Sequence, residues 1–438
     1  MARISLKKIL SLSFLFLPML LWAEPQDPPD FTTHMLPADD RPEAAAPLFA
    51  IVDMAMLFFA LSLTTFFVYK TRSRKSIFVL SLFSLGYFGF YRLGCVCPIG
   101  SIQNISQALF DPNYIAPLVV IVYFALPLAF SAIFGRSYCA SVCPHGALQD
   151  AVLMKPIEVP MWLDHALGLL PFVYLGLGIL FAATGSAYII CDYDPFIAIF
   201  RLTGSANMLG MGALFLLAGM FIGRPYCRYM CPYGVLLRMF SSVAKWNVEI
   251  YPDRCIDCSL CDNSCPFNAI IKTTPEHQVI KAKDGKKQLS FLLFLAPFIV
   301  IGLGYLSSLA APTLARGNEV VRMAYQIEQE ELALSSGQSL SEVSRPEESE
   351  VWRDRFDDAP ALFAEAQQII HQFVVGSWIL GLFIGLVILF KLYKLSVHRV
   401  RHQYVADYGS CYSCGRCYDY CPGSNGLPDQ AVTGGHLR

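Results

Sequence analysis

The stretch "CIDCSLCDNSCP", residues 255–266, sets four cysteines at spacings of three, three and four and closes on a proline. The same pattern returns as "CYSCGRCYDYCP", residues 411–422. Between the two lie sequences too apolar for a soluble domain. The whole 438-residue chain is 55% hydrophobic and only 15% charged, with a mean hydropathy of +0.47. Soluble domains carry about a quarter charged residues, so composition alone indicates a membrane protein. The fold therefore turns on one question: how two halves of a cysteine framework meet when membrane crossings divide them.

Hydropathy and charge answer it. The opening "MARISLKKILSLSFLFLPMLLWAEPQDPPDF" has a basic start, an apolar run and a proline-rich exit. It reads as a signal peptide over residues 1–23, or as an uncleaved anchor, followed by a short exported segment at 24–46. Seven apolar runs follow, near 47–69, 76–93, 113–134, 166–184, 206–223, 288–311 and 372–394. Each is long enough, or nearly so, for a hydrocarbon core of ~30 Å. Cytoplasmic loops collect Lys and Arg. Four such residues lie in "YKTRSRK" (69–75), ten in 224–287, and more in "KLYKLSVHRVRH" (391–402), whereas 312–371 carries twelve acidic residues against five Arg. The expected architecture is an all-α polytopic membrane protein of about seven transmembrane helices with a small α+β two-cluster ferredoxin domain on the cytoplasmic face. Residues 47–223 form a five-helix core, 224–287 a cytoplasmic loop with the first cysteine run, and 288–311 and 372–394 two further spans. Residues 312–371 form an acidic periplasmic helical insert that could steer a basic partner. Residues 395–438 form a cytoplasmic tail with the second run. Such a chain sits in the bacterial inner membrane with its C-terminus in the cytoplasm, and an even number of crossings brings both runs to one side.

The runs have the bacterial ferredoxin pattern, in which the fourth cysteine serves the other cluster. Cys255, Cys258, Cys261 and Cys421 are therefore expected to hold one [4Fe-4S] cluster, and Cys411, Cys414, Cys417 and Cys265 the second. Zinc sites do not need this eight-cysteine arrangement.

Seven of the fifteen cysteines remain. "GRSYCASVCPHG" (135–146) and "GRPYCRYMCPYG" (223–234) are near-copies. Their pairs, Cys139 with Cys143 and Cys227 with Cys231, could together supply a third cytoplasmic-side iron–sulfur site, against the alternative of buried structural thiols. The proline after each second cysteine suits a helix start. "YRLGCVCPIG" (91–100) has a shorter spacing, and its Cys95 and Cys97 fall with Cys191 on the periplasmic side by the parity of spans. There a disulfide competes with a metal or cluster site completed by Asp192 or Asp194. Asp53 lies within the first run, where Arg92 would make it half of a structural ion pair rather than a proton or quinone group. His165 and His371 flank spans at opposite faces and cannot share a haem. His145 could tune a neighbouring cluster.

The "CxxxCP" repeats at span ends, followed by paired ferredoxin runs, resemble the NosR/NirI and NapH group of membrane polyferredoxins. "FGRSYCASVCPHGALQD" and "GRPYCRYMCPYG" carry the likeness, which covers roughly residues 76–438. The resemblance implies electron transfer between the cytoplasmic or quinone side and a periplasmic flavoprotein or reductase. NosR-type proteins place a large FMN-binding domain before the membrane core. Here 24–46 stands in that place and no "[SD]GA[ST]" segment occurs, so flavin is expected on a separate partner. The related CcoG-type polyferredoxins imply an alternative: a metallocentre assembly factor that reduces copper or thiols, with Cys95, Cys97 and Cys191 as a transient site. No nucleic-acid motif, nucleotide loop or nucleophile arrangement is present, which favours an electron-transfer subunit over a stand-alone catalyst.

Overall fold

The computed structural model describes residues 47–250, 255, 258–274, 282–336, 349, 359–397, 401 and 403–422. The expected signal peptide and exported segment, 1–46, lie outside them. Four helices are long and apolar enough to cross a membrane: Leu48–Thr71, Met161–Ala183, Gly285–Leu309 and Pro360–Ser396. Large apolar side chains such as Phe291, Phe294 and Phe298 stay exposed on them, as lipid-facing residues do. The runs at 113–134 and 206–223 give shorter helices, Leu118–Phe134 and Ala206–Gly219. At 1.5 Å per residue these span roughly 26 and 21 Å, short of the ~30 Å core. Pro117 and Gly135 (φ 59°) bound the first, and Ser205 caps the second by accepting from Met208 N. The run at 76–93 becomes Arg74–Ser84 continued by π-helical turns, Leu85–Tyr91.

The centre of the molecule is built on three helices that each begin with Cys-Pro: α1 (Pro98–Phe110), α2 (Pro144–Val152) and α3 (Pro232–Ser242). Cys97, Cys143 and Cys231 are their N-caps, and the following proline brings a preset φ and no orphan N–H. The segments carrying α1 and α2 were expected on opposite membrane faces. They pack instead into one core, where Val96, Ile99 and Ile102 join Tyr138, Val142, Tyr226 and Tyr233. Irregular backbone is tolerated at membrane depth when protein surrounds it. The expected hydrocarbon-wide gap between Cys97 and Cys143 is thereby corrected.

A second unit pairs α4 (Ala282–Leu309) with α6 (Ala359–Ser396), with α5 (Glu319–Ser335) packed on α6. The two long helices approach closely because Gly304, Gly381 and Gly385 face the partner. Small residues allow such contact where no hydrophobic drive exists between helices in lipid. A Cβ on Gly381 would stand 2.3 Å from Leu303 O and 2.7 Å from the Cα of Gly304. Gly381→Ala should therefore cost about 1–3 kcal/mol through overpacking. Gly302→Ala, which meets nothing within 4 Å, should cost nothing. Thermal midpoints in detergent check the pair, and equal midpoints would refute the close approach.

The α4–α6 excursion separates the two ferredoxin runs in sequence but not in space. Strand β1 (Ile270–Ile271) pairs antiparallel with β2 (Val405–Ala406), Ile270 opposite Ala406. The short helices Leu260–Asn263 and Arg416–Tyr420 pack together beside them.

Candidate functional site

Ferredoxin cysteines of both runs meet at this strand pair. Cys261, Cys265 and Cys417 pack with Ile270 and Ala406. Cys255 and Cys421 lie within electrostatic reach of Cys261, whereas Cys265 and Cys414 lie within reach of Cys411. Cys417 lies within the same reach of Cys414, Cys411, Cys265 and Cys261. Cys258 is exposed. Cys265 thus stands with the first three cysteines of the second run, and Cys421 with Cys261 of the first. Burial pushes the Cys261 thiol up to about 11 and the Cys411 thiol up to about 12. Thiolates are stable in such places when a metal centre neutralises them.

Cys139, Cys143, Cys227 and Cys231 converge on one small pocket, lined also by Arg136, Arg224, Gly146 and Gly234. Cys139 lies in a π-helical turn, Tyr138–Val142, and Cys227 in the short helix Pro225–Tyr229. Donors point at the sulfurs: Gln149 Nε2 to Cys227 Sγ at 3.3 Å and Gly234 N to Cys231 Sγ at 3.3 Å. Gln149 also accepts from Tyr226 N at 3.0 Å, which fixes its amide. Among the described residues no three Cys, His, Asp or Glu side chains approach closely enough to hold a single metal ion. An iron–sulfur cluster fits the donor set. Thiolates are its ligands, buried guanidinium groups offset its charge, and Arg136 Nε is a buried donor with no hydrogen-bond partner among the described residues.

The arginines also join this pocket to the ferredoxin half. Arg136 lies 4.2 Å over the ring of Tyr412 and Arg224 5.4 Å from it, while the rings of Tyr412 and Phe267 meet at a 53° tilt with centroids 4.7 Å apart. Tyr412 follows Cys411, and Phe267 follows the Cys265-Pro266 turn. Arg224 donates from Nε to Asp150 Oδ1 (2.9 Å), from Nη2 to Oδ2 (2.8 Å), and to Cys139 O. Burial alone would push the Asp150 carboxyl up. Arg224 above all, then Arg74, hold it below the usual carboxylate range.

On the other side of the pocket, Ile99 belongs to both its lining and the first turn of α1. Cys191 stands over that turn, where a Cβ on Gly100 would come within 2.9 Å of its sulfur. Cys191 N donates to Gln103 Oε1 at 3.1 Å, and the fully buried Gln103 Nε2 has no partner among the described residues. Cys97 is close by, half-buried, whereas Cys95 is exposed, with Arg201 Nη2 at 3.9 Å from its sulfur. Asp194 is occupied by His145 Nε2 at 3.0 Å and by Phe196 N. Asp192 is not buried. The Asp53–Arg92 pair forms as expected, at 2.6 Å, and Tyr87 OH donates to Asp53 at 2.9 Å. Lys391 Nζ donates to His165 O. His371 precedes Lys391 by twenty residues on α6, roughly 30 Å at 1.5 Å per residue, so the two histidines do not meet.

Sequence reasoning missed Arg136, Arg224, Asp150, Gln149 and Tyr412. The "GR" that opens both near-copies was the available signal.

Comparison with known proteins agrees with this chemistry. Residues 116–168 and 203–250 match one family described as "4Fe-4S binding domain", and 248–271 match a second with the same description. YccM of Escherichia coli, named for electron transport, is 25% identical over 190 residues, 39% of this chain and 52% of that protein. Protein NirI of Paracoccus denitrificans is 26% identical, covering 36% of this chain and 25% of NirI. Regulatory protein NosR of Pseudomonas aeruginosa is 24% identical, covering 43% and 28%. The chain thus spans about half the length of YccM and about a quarter of the other two. No solved structure matches it. With two 4Fe-4S-type matches, clustered thiols and membrane-length helices, the chain is similar to the NosR/NirI-like membrane ferredoxins and to a relative named for electron transport.

Proposed function

We propose that the protein carries electrons through the bacterial inner membrane, between a cytoplasmic or quinone-linked donor and a periplasmic flavoprotein or reductase. Cys255, Cys258, Cys261 and Cys421 hold one [4Fe-4S] cluster, and Cys411, Cys414, Cys417 and Cys265 a second. Cys139, Cys143, Cys227 and Cys231 hold a third. Cys97 and Cys191, with Cys95 nearer the surface, form a further metal or thiol site. When bound, the clusters supply one-electron transfer, and the chain supplies ligation, spacing and charge. The observation that carries the reading is the convergence of four thiols in one pocket directly beside Tyr412. It supports short steps between neighbouring centres where a membrane-wide gap had been expected.

Iron analysis of anaerobically purified protein tests this. About twelve iron per chain or more are expected, four for each cubane. About eight would remove the third cluster, and fewer would sink the ferredoxin assignment as well. The exposed thiol of Cys95 is the one observation that favours the metallocentre-assembly reading. Labile copper lost on Cys95→Ser, alongside about eight iron, would select it.

A further inference from the structure

We propose that Arg136 and Arg224 form a reciprocal charge clamp that raises the reduction potential of the four-thiol pocket, an inference that rests on reading that pocket as an iron–sulfur site. Each near-copy contributes one arginine, two residues before the tyrosine of its "YC" pair. Each arginine then packs on the other copy. Arg136 Nη2 donates to Gly234 O at 3.4 Å, and a Cβ on Gly234 would lie 3.4 Å from it. Arg224 Nη1 lies 3.1 Å from where a Cβ on Gly146 would stand. The glycines of "CPHG" and "CPYG" therefore admit the guanidinium of the opposite repeat, and the arginines cross between the two halves.

Burying two guanidinium groups is costly unless something anionic receives them. Arg136 is 4% exposed and Arg224 1%. Asp150 accounts for one of them, and it also receives Arg74 at 3.4 Å. Arg136 has no carboxylate partner among the described residues. Its terminal nitrogens reach the carbonyls of Gly409 and Gly234, and its Nε is orphaned. A four-thiolate cluster carries roughly two units of negative charge, and its potential responds to nearby charge and solvent exposure. The pocket thus contains the anion that the surplus cation requires. Arg224 also sits at φ 49° directly before Pro225, a conformation that a non-glycine residue keeps only under strong restraint. Two repeats that each bury an arginine at the same pocket, one of them at the cost of backbone strain, are arranged for its charge.

Reduction adds an electron to the centre, so a buried cation favours the reduced state. The test is a potentiometric titration of the full chain, monitored by EPR, with Arg136→Gln and Arg136→Lys beside the unaltered protein. Arg136→Gln should make the pocket centre at least tenfold harder to reduce, about 59 mV for a one-electron couple. Arg136→Lys should keep most of the unaltered value, and the cluster of Cys255, Cys258, Cys261 and Cys421 should not move. Asp150→Asn supplies the reverse sign: removing the counter-charge should make the pocket centre easier to reduce. A third centre whose potential ignores both Arg136→Gln and Asp150→Asn overturns the clamp. Equal loss of iron from the Gln and Lys variants overturns it too, because charge alone should rescue. Unaltered protein with iron for only two clusters would instead remove the underlying reading of the pocket.

Discussion

Replacing Cys143 and Cys231 together with serine should remove about four iron per chain and leave the spectra of the two ferredoxin clusters in place. Both residues are buried N-caps, and serine is a competent cap, so α2 and α3 should still start where they do. The ferredoxin half touches the pocket's arginines through Gly409, Tyr412 and Phe267. A chemical reductant should therefore still reduce the two ferredoxin clusters, with no third signal beside them. Loss of all iron in this variant would mean that the pocket is a folding element of the ferredoxin half and not a separate centre. Anaerobic iron and sulfide analysis, with EPR of the reduced protein, reads both outcomes.

The largest effect on stability should come from Asp150→Ala. That change strands the fully buried Arg224, and breaking a buried ion pair from one side costs about 3–5 kcal/mol. The carboxyl is held below its ordinary range in the folded protein, so its contribution is present above the unfolded value of about 3.9 and fades only as pH falls below it. The gap in thermal midpoint between Asp150→Ala and the unaltered protein should thus stay constant from pH 5 to pH 8 and shrink only in stronger acid. A gap that closed near neutrality would show that another group carries the effect. Asp150→Asn keeps hydrogen-bonding capacity and should lose less.

The two predictions differ in how far the sequence foretold them. The sorting of the ferredoxin cysteines was read from spacing, a local property, and in the structure Cys265 lies near Cys411 and Cys414, and Cys421 near Cys261. Asp53 and Arg92 were also legible, because an acid within an apolar run needs a partner near its own depth. The Cys-Pro helices were not. Hydropathy measures the length of apolar runs, so α1 and α2, with buried Gln103 and Gln149, looked like loops outside the membrane. Their amide oxygens are satisfied by neighbours distant in sequence, Gln149 by Tyr226 N and Gln103 by Cys191 N. Arg136 and Arg224 escaped for the same reason: each works on the other repeat, and no window of sequence contains both an arginine and its glycine. The shorter "CVCP" spacing finds its explanation here as well. Cys97 takes the helix-capping place of Cys143 and Cys231, while Cys95 is left at the surface.

The strand pair of Ile270 with Ala406 imposes an order on biosynthesis. A ribosome delivers β1 long before β2, and the α4–α6 hairpin must be threaded into the bilayer between them. Until that insertion is complete, neither proposed ferredoxin cluster can have its full ligand set, because each draws on both runs. Cofactor loading is then a late checkpoint, and a nascent chain stalled before α6 would expose the four cysteines of the first run, with no second run yet made, to oxidation and to proteases. Mature iron content would in that way certify that the last two membrane helices are in place.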